Sequence, residues 1–174
     1  MTTEIPVPET FKGAIDNVND LLHLITIRAN TLIHETGTRL QMSEDKAAEW
    51  DYSLALHTNP MTYAYFHRFI LSNYLEFCEK FKGDQATKTV FERMAIIFAQ
   101  TVILEDAEFY RDYLTRDHIT EIKSNIMDQM KLLREDVVSL TYLFSFRDKM
   151  LGPIGANDMN PYQRFISKVD TAPE

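Results

Sequence analysis

ITEIKSNIMDQMKLLREDVVSLTYLF, residues 119–144, carries the clearest structural signal in the chain. Its apolar side chains recur at steps of three or four residues, namely at Ile119, Ile122, Ile126, Met130, Leu133, Val137, Leu140 and Phe144. This spacing places them along one side of an α-helix of about seven turns. A helix with so long an apolar stripe is stabilised mainly by packing, so the stretch predicts a helical bundle.

The same periodicity continues toward the amino terminus. It predicts a first helix that begins near residues 9–11, a second from about residue 44 and a third over residues 85–113. Pro60 is expected to kink or break the second helix, with Asn59 as a new cap, because proline lacks an N–H and its ring clashes with the preceding turn.

Nothing in the sequence indicates β-strands. Five glycines and six prolines are few for a protein built from strands and tight turns. The sequence therefore predicts an all-α fold, an up-and-down bundle of four to five antiparallel helices, with a short terminal helix after Asn160. We expect an extended leader at residues 1–10, the bundle at residues 11–169 and a tail at residues 170–174.

Charge and hydropathy argue against two classes of partner. The 26 acidic and 18 basic residues give a formal net charge of −8, which repels phosphate backbones, so nucleic-acid binding is not expected. No window reaches the ~18 consecutive apolar residues that a membrane span requires. The polar leader does not resemble a signal peptide, and Cys78, the only cysteine, is expected to be a buried, unreactive thiol in a reducing, intracellular compartment.

The sequence contains no complete catalytic, cofactor or metal site. Paired Glu-x-x-His motifs hold metals in helical bundles, and here only one histidine follows an acidic residue by three positions. The sequence leaves open a Ser-His-acid or Cys-His catalytic triad, although it contains no local nucleophile motif. The crowded carboxylates Glu105, Asp106 and Glu108 form either a proton-transferring pair or a solvated face in contact with Arg111. We therefore expect no catalytic residue and no metal ligand, and cofactor binding is left open.

Residues 63–81 are dense in aromatic side chains. Tyr63, Phe69 and Tyr74 widen an apolar stripe that contains Phe66, so this segment is expected to lie centrally. Trp50, on the apolar side of the second helix, is expected in the core, and Trp50→Ala would then cost about 3 to 5 kcal/mol.

Four segments, in a consistent order and spacing, carry a family resemblance. They read AEWD (48–51), AYFH (64–67), LEDAEFYRDYLT (104–115) and GPIGANDMNPY (152–162). Together they resemble the carboxyl-terminal helical domain of the acyl-CoA oxidase family, which performs the first oxidation of fatty acyl-CoA. The last segment is similar to the family's Ser-Pro-Ile-Gly-x-x-Asp-Gly-x-x-Tyr, with Met159 in place of a glycine.

The resemblance implies a role in assembly. In complete members the flavin site, the acyl-CoA cleft and the glutamate base lie in preceding domains, so FAD is implied for a complete member and no cofactor for this chain. We expect a non-catalytic helical domain or subunit that covers the flavin-bearing domains, with a catalytic acyl-CoA oxidase chain or a homo-oligomer as its partner. The candidate interface residues are Tyr63, Phe66, Phe69, Tyr74, Gly152, Pro153, Ile154, Gly155, Asp158 and Tyr162.

Two other interpretations stay open. The chain is either a stand-alone assembly or scaffold protein that kept the bundle and lost the enzyme, or an enzyme with a site inside the bundle. The resemblance implies a peroxisomal location, although the final residues, TAPE (171–174), differ from a peroxisomal address such as Ser-Lys-Leu.

Overall fold

The computed structural model describes residues 9–143, 150 and 160–170, and these residues contain helices and connections but no β-strand. The all-α prediction is confirmed. The helices are α1 (Val18–Met42), α2 (Lys46–Ala48), α3 (Ala55–Lys80), α4 (Gln85–Glu105), α5 (Arg116–Leu133), α6 (Val137–Tyr142) and α7 (Pro161–Asp170). A π-helical turn, Glu49–Ser53, precedes α3, and a 3-10 turn, Phe109–Asp112, precedes α5.

The chain divides into two compact units, residues 1–133 and 134–174. In the first unit α1 packs against α3 and α4, and α4 also packs against α3 and α5, which gives the up-and-down bundle. The second unit contains α6 and α7. A single domain over residues 11–169 remains a prediction, and the predicted leader and tail lie almost entirely outside the described residues.

Among the described helices, none is both long enough and apolar enough to cross a membrane.

α1 begins at Val18, so the predicted start near residues 9–11 is wrong. Asn17 caps the helix, since its side-chain oxygen accepts a backbone N–H of the first turn at 3.0 Å. In the preceding segment the backbone N–H of Phe11 donates to the carbonyl oxygen of Tyr113 at 2.8 Å. This segment is therefore held by contacts with a distant part of the chain and does not extend the helix.

Pro60 lies inside α3, which runs from Ala55 to Lys80. The predicted break at this proline, with Asn59 as a new cap, is wrong. Pro60 stands in the second turn of α3, so its missing N–H removes only one hydrogen bond, close to the amino end of the helix. The helix continues beyond the proline.

Trp50 lies in the π-helical turn and is 45% exposed, so its predicted place in the core is wrong. Leu54, one helical turn further along, is fully buried at that point instead.

α4 and α5 are both shorter than the continuous helices that the periodicity predicts. After Glu105 the chain turns so that the ring of Tyr110 is fully buried. α5 ends at Leu133, and three consecutive charged residues separate it from α6. Thr115 caps α5, since its Oγ1 accepts the backbone N–H of His118 at 3.3 Å.

The core of the first unit is apolar with one fully buried polar side chain. Its large, fully buried apolar members include Leu21, Leu24, Ile25, Leu71, Ile103 and Ile122. Gln100 Nε2 donates to the carbonyl oxygen of Ile15 at 2.7 Å and to Asn125 Oδ1 at 2.9 Å, which offsets part of the cost of burying this amide. Its Oε1 is buried without a hydrogen-bond partner among the described residues. Cys78 is buried, as the sequence predicted, and burial raises the pKa of its thiol.

Ile122→Ala should lower the free energy of unfolding by about 2 to 5 kcal/mol, because it removes buried methyl groups and leaves a cavity. Denaturant unfolding followed by circular dichroism measures this loss. Met127 lies on the same helix and is 58% exposed, so Met127→Ala is the matched control. Equal losses in the two variants would contradict the placement of α5.

Trp50→Ala should lower the free energy of unfolding by only about 1 kcal/mol, because the side chain is already largely in water. The same denaturant unfolding measures the change. A loss of about 3 kcal/mol or more, as a core residue would give, shows that the indole is buried.

Candidate functional site

The outer side of α3 exposes a row of large apolar side chains. We call this surface the aromatic face and define it by Tyr63, Phe66, Phe69, Ile70 and Phe77. Each of these side chains is between 48% and 63% exposed. A contiguous surface of this kind is typical of a region that another protein covers.

The opposite side of α3 packs into the bundle through smaller residues. Ala64, Leu71 and Cys78 follow one another at intervals of seven and are 0%, 1% and 3% exposed. Seven residues span about two helical turns, so these three side chains line up. α3 is therefore packed into the bundle, as the sequence predicted. Its apolar stripe that contains Phe66, however, is exposed on the outer side of the helix.

Tyr74 belongs to a different contact from the other aromatic candidates on α3. It is half-buried, and its hydroxyl lies 3.9 Å from Met94 Sδ on α4. Burial raises the pKa of Tyr74 to about 12. The structure therefore brings three of the four candidates, Tyr63, Phe66 and Phe69, onto the aromatic face.

Neighbouring rings support the aromatic face. Tyr65 stacks on Phe69 with ring centroids 6.3 Å apart, and the Arg68 guanidinium lies 5.4 Å from the Tyr65 centroid. Phe77 contacts Phe91 of α4 at 5.5 Å. These contacts restrict the rings before any partner binds, which reduces the entropy that association would cost.

The remaining interface candidates do not lie in the first unit. Tyr162 is on α7 in the second unit and is 82% exposed. Gly152, Pro153, Ile154, Gly155 and Asp158 lie outside the described residues.

A cavity of about 470 Å³, lined by both polar and apolar side chains, opens beside the first turns of α3. Its polar and aromatic walls come from three helices and the residue after α4, namely Arg28, Asn59, Tyr63, His67, Glu105 and Asp106. Tyr63 belongs both to the cavity and to the aromatic face, so the two features are continuous.

An ion pair between α1 and the end of α4 forms one wall of the cavity. Arg28 Nε donates to Asp106 Oδ2 at 2.6 Å, and the two side chains are 7% and 34% exposed. Sequence reasoning missed Arg28, although a lone arginine between Ile27 and Ala29 in an apolar run was a usable signal. Of the three carboxylates that the sequence singled out, Asp106 thus contacts Arg28 and not Arg111.

His67 is fixed between two rings, with centroids 6.3 Å from Tyr63 and 6.0 Å from Phe98. Its Nδ1 is buried and has no hydrogen-bond partner among the described residues. Burial, followed by the positive charge of Arg28, lowers the pKa of His67, and the charge of Glu105 opposes this shift. The imidazole is therefore neutral at pH 7, where it offers a hydrogen-bonding group without a charge.

No three His, Cys, Asp or Glu side chains in residues 9–143, 150 and 160–170 are arranged to hold a metal ion. In the cavity, the Arg28 guanidinium lies among the carboxylates and would repel a cation. Of the other carboxylates, Glu105 lines the cavity and Glu108 is exposed to solvent.

Solved structures show where this fold occurs elsewhere. The fold matches an acyl-CoA oxidase from tomato (Lycopersicon esculentum) with a TM-score of 0.82 and 18% identity, over 99% of this chain and 29% of that one. It matches acyl-CoA oxidase 3 from Yarrowia lipolytica with a TM-score of 0.79 and 18% identity, over 95% of this chain and 25% of that one.

Sequence comparison gives the family. Peroxisomal acyl-coenzyme A oxidase 2 of Oryctolagus cuniculus is 24% identical over 81% of this chain and 21% of its own length. The same enzyme of Rattus norvegicus is 24% identical over 76% of this chain and 20% of its own length, so the chain spans about a fifth of these curated relatives. The family model for acyl-CoA oxidase matches residues 17–174. The chain belongs to the acyl-CoA oxidase family.

Proposed function

We propose that this chain is a non-catalytic helical domain or subunit of an FAD-dependent acyl-CoA oxidase. It assembles with the flavin-bearing domains and covers them, and those domains supply the FAD, the acyl-CoA cleft and the catalytic base. The exposed aromatic face supports this proposal, because the chain spans only about a fifth of its curated relatives and the flavin-bearing domains of a complete enzyme could cover this face.

The aromatic face is large enough to drive association. A half-exposed Phe or Tyr ring hides roughly 100 Å² more from water when a partner covers it, which is worth about 2.5 kcal/mol. The four rings of the face together reach about 10 kcal/mol, comparable to the cost of association, on the order of 4 to 15 kcal/mol. The aromatic face therefore supports stable binding when it is buried almost completely and hydrogen bonds add to it.

Capture of the tagged chain from its native cells tests the identity of the partner. We expect a catalytic acyl-CoA oxidase chain to be recovered, together with the absorbance spectrum of a bound flavin. The chain purified alone should show no flavin spectrum and no acyl-CoA turnover. Flavin bound to the isolated chain, or recovery of the chain only as an oligomer of itself, would contradict the proposal.

Removing two rings from the aromatic face should weaken this assembly. The double variant Phe66→Ser with Phe69→Ser is expected to lower the affinity for the captured flavoprotein at least about tenfold, because central aromatic residues dominate interface energies. Affinity is measured by titration of the purified partner, and circular dichroism checks that the bundle stays folded. Tyr52→Ser is the matched control, since Tyr52 is 82% exposed but lies outside the face. An equal effect of this control would show that exposure alone, and not the aromatic face, determines binding.

The assembly is expected in peroxisomes, since that compartment is part of the names of the rabbit and rat relatives. In this proposal the chain reaches the organelle together with its catalytic partner. A fluorescent fusion should therefore lose its peroxisomal location in cells from which the captured partner has been deleted. Retention of the location in those cells would argue against delivery by the partner.

A further inference from the structure

An arginine and a histidine are in direct contact where the end of α1 lies beside the start of α3. Arg39 Nη1 lies 2.6 Å from Nε2 of His57, which is hydrogen-bonding distance. A guanidinium has only N–H donors and is not deprotonated in proteins, so the imidazole must supply the lone pair. His57 is therefore neutral in this contact, with Nε2 as the acceptor and its proton on Nδ1.

The contact joins the two ends of the connection between α1 and α3. Arg39 is in the last turn of α1 and His57 is in the first turn of α3. Residues 43–54 lie between the two helices and contain α2 and the π-helical turn. Within this segment only Leu54 is buried. The position of the segment therefore depends on two main attachments, the side chain of Leu54 and the hydrogen bond from Arg39 to His57.

The charged groups that face His57 come from α1. They line a cavity of about 410 Å³ beside the imidazole, namely His34, Glu35 and Arg39. Glu35 would favour a protonated imidazole, but it is exposed and water screens its charge. Arg39 is in direct contact with the ring, so its positive charge acts most strongly on a protonated His57.

The other elements near His57 add no acid or base to this cavity. Glu49 and Asp51 of the π-helical turn do not line it, and no residue of α4 does. α3 has no other acidic or basic residue before His67. His57 also lies in the first turn of α3, where the aligned backbone dipoles disfavour a positive charge.

We propose that the contact between Arg39 and His57 is a pH-sensitive link that holds the connection between α1 and α3. Protonation of His57 places a proton on Nε2, so the acceptor becomes a donor and two cations face each other. The hydrogen bond is then lost, and residues 43–54 lose one of their two main attachments. This inference rests on the geometry of the contact and does not depend on the proposed function.

Nitrogen-15 nuclear magnetic resonance of the imidazole tests the protonation state on the full chain. At about pH 8 the ring of His57 should carry its proton on Nδ1, and at about pH 5 both nitrogens should be protonated. A proton on Nε2 at the higher pH overturns the proposal, because Arg39 would then have no acceptor in the ring.

Amide hydrogen exchange of residues 43–54 measures the opening of the connection. After correction for the intrinsic exchange rates, a change from about pH 8 to about pH 5 should increase opening of this segment several-fold. The buried part of α4, from Ala95 to Ile103, should keep its protection. Unchanged protection of residues 43–54, or an equal loss of protection in α4, overturns the proposal.

His57→Gln separates the imidazole from every other group that titrates. The amide oxygen of glutamine can accept from Arg39 but does not titrate, so the segment should remain protected at both pH values. The variant also excludes Asp45, whose carboxylate caps α2 in the same segment, as the source of the response. His34→Gln is the matched control, since it removes another histidine of the same cavity and should keep the pH response. A pH response that persists in His57→Gln, or is lost in His34→Gln, contradicts the role of His57.

Discussion

The packing of α3 against α1 and α4 through small side chains is the constraint on which the remaining surface depends. Ala64 and Cys78 on α3 and Ala95 and Ala99 on α4 are all buried. Small residues at a helix contact let the two helices approach closely, so larger rings lie to the sides of the contact, as Phe77 does against Phe91. The rings of the aromatic face lie on the outer side of α3, where they are about half exposed.

The sequence predicted the fold class and the helices better than it predicted which sides face inward. On α4 the large apolar residues Val90 and Met94, four positions apart on one side of the helix, are only half-buried, whereas the small residues Ala95 and Ala99 are fully buried. Periodicity identifies apolar positions, but a helix with two apolar sides needs its neighbours to decide between them. Tyr63, Phe66 and Phe69 could be chosen from aromatic density alone. Arg28 could be singled out as a lone charge in an apolar run, but its pairing with Asp106 could not be predicted, since the two residues are 78 positions apart in the chain.

The aromatic face and the cavity beside it differ in how strictly their contacts fix a geometry. Apolar burial over Phe66 and Phe69 is strong but weakly directional, because ring contacts tolerate small displacements. The charge-assisted hydrogen bond between Arg28 and Asp106 in the cavity wall has a much stricter geometry than a ring contact.

The reactivity of Cys78 reports on local opening of the bundle. It is the only thiol in the chain, it is 3% exposed, and burial raises its pKa. A thiol reagent can modify it only while the end of α3 separates from its neighbours, so the labelling rate measures how often that opening occurs. Because the aromatic face lies on the other side of the same helix, the rate would also register any bound chain that holds α3 in place.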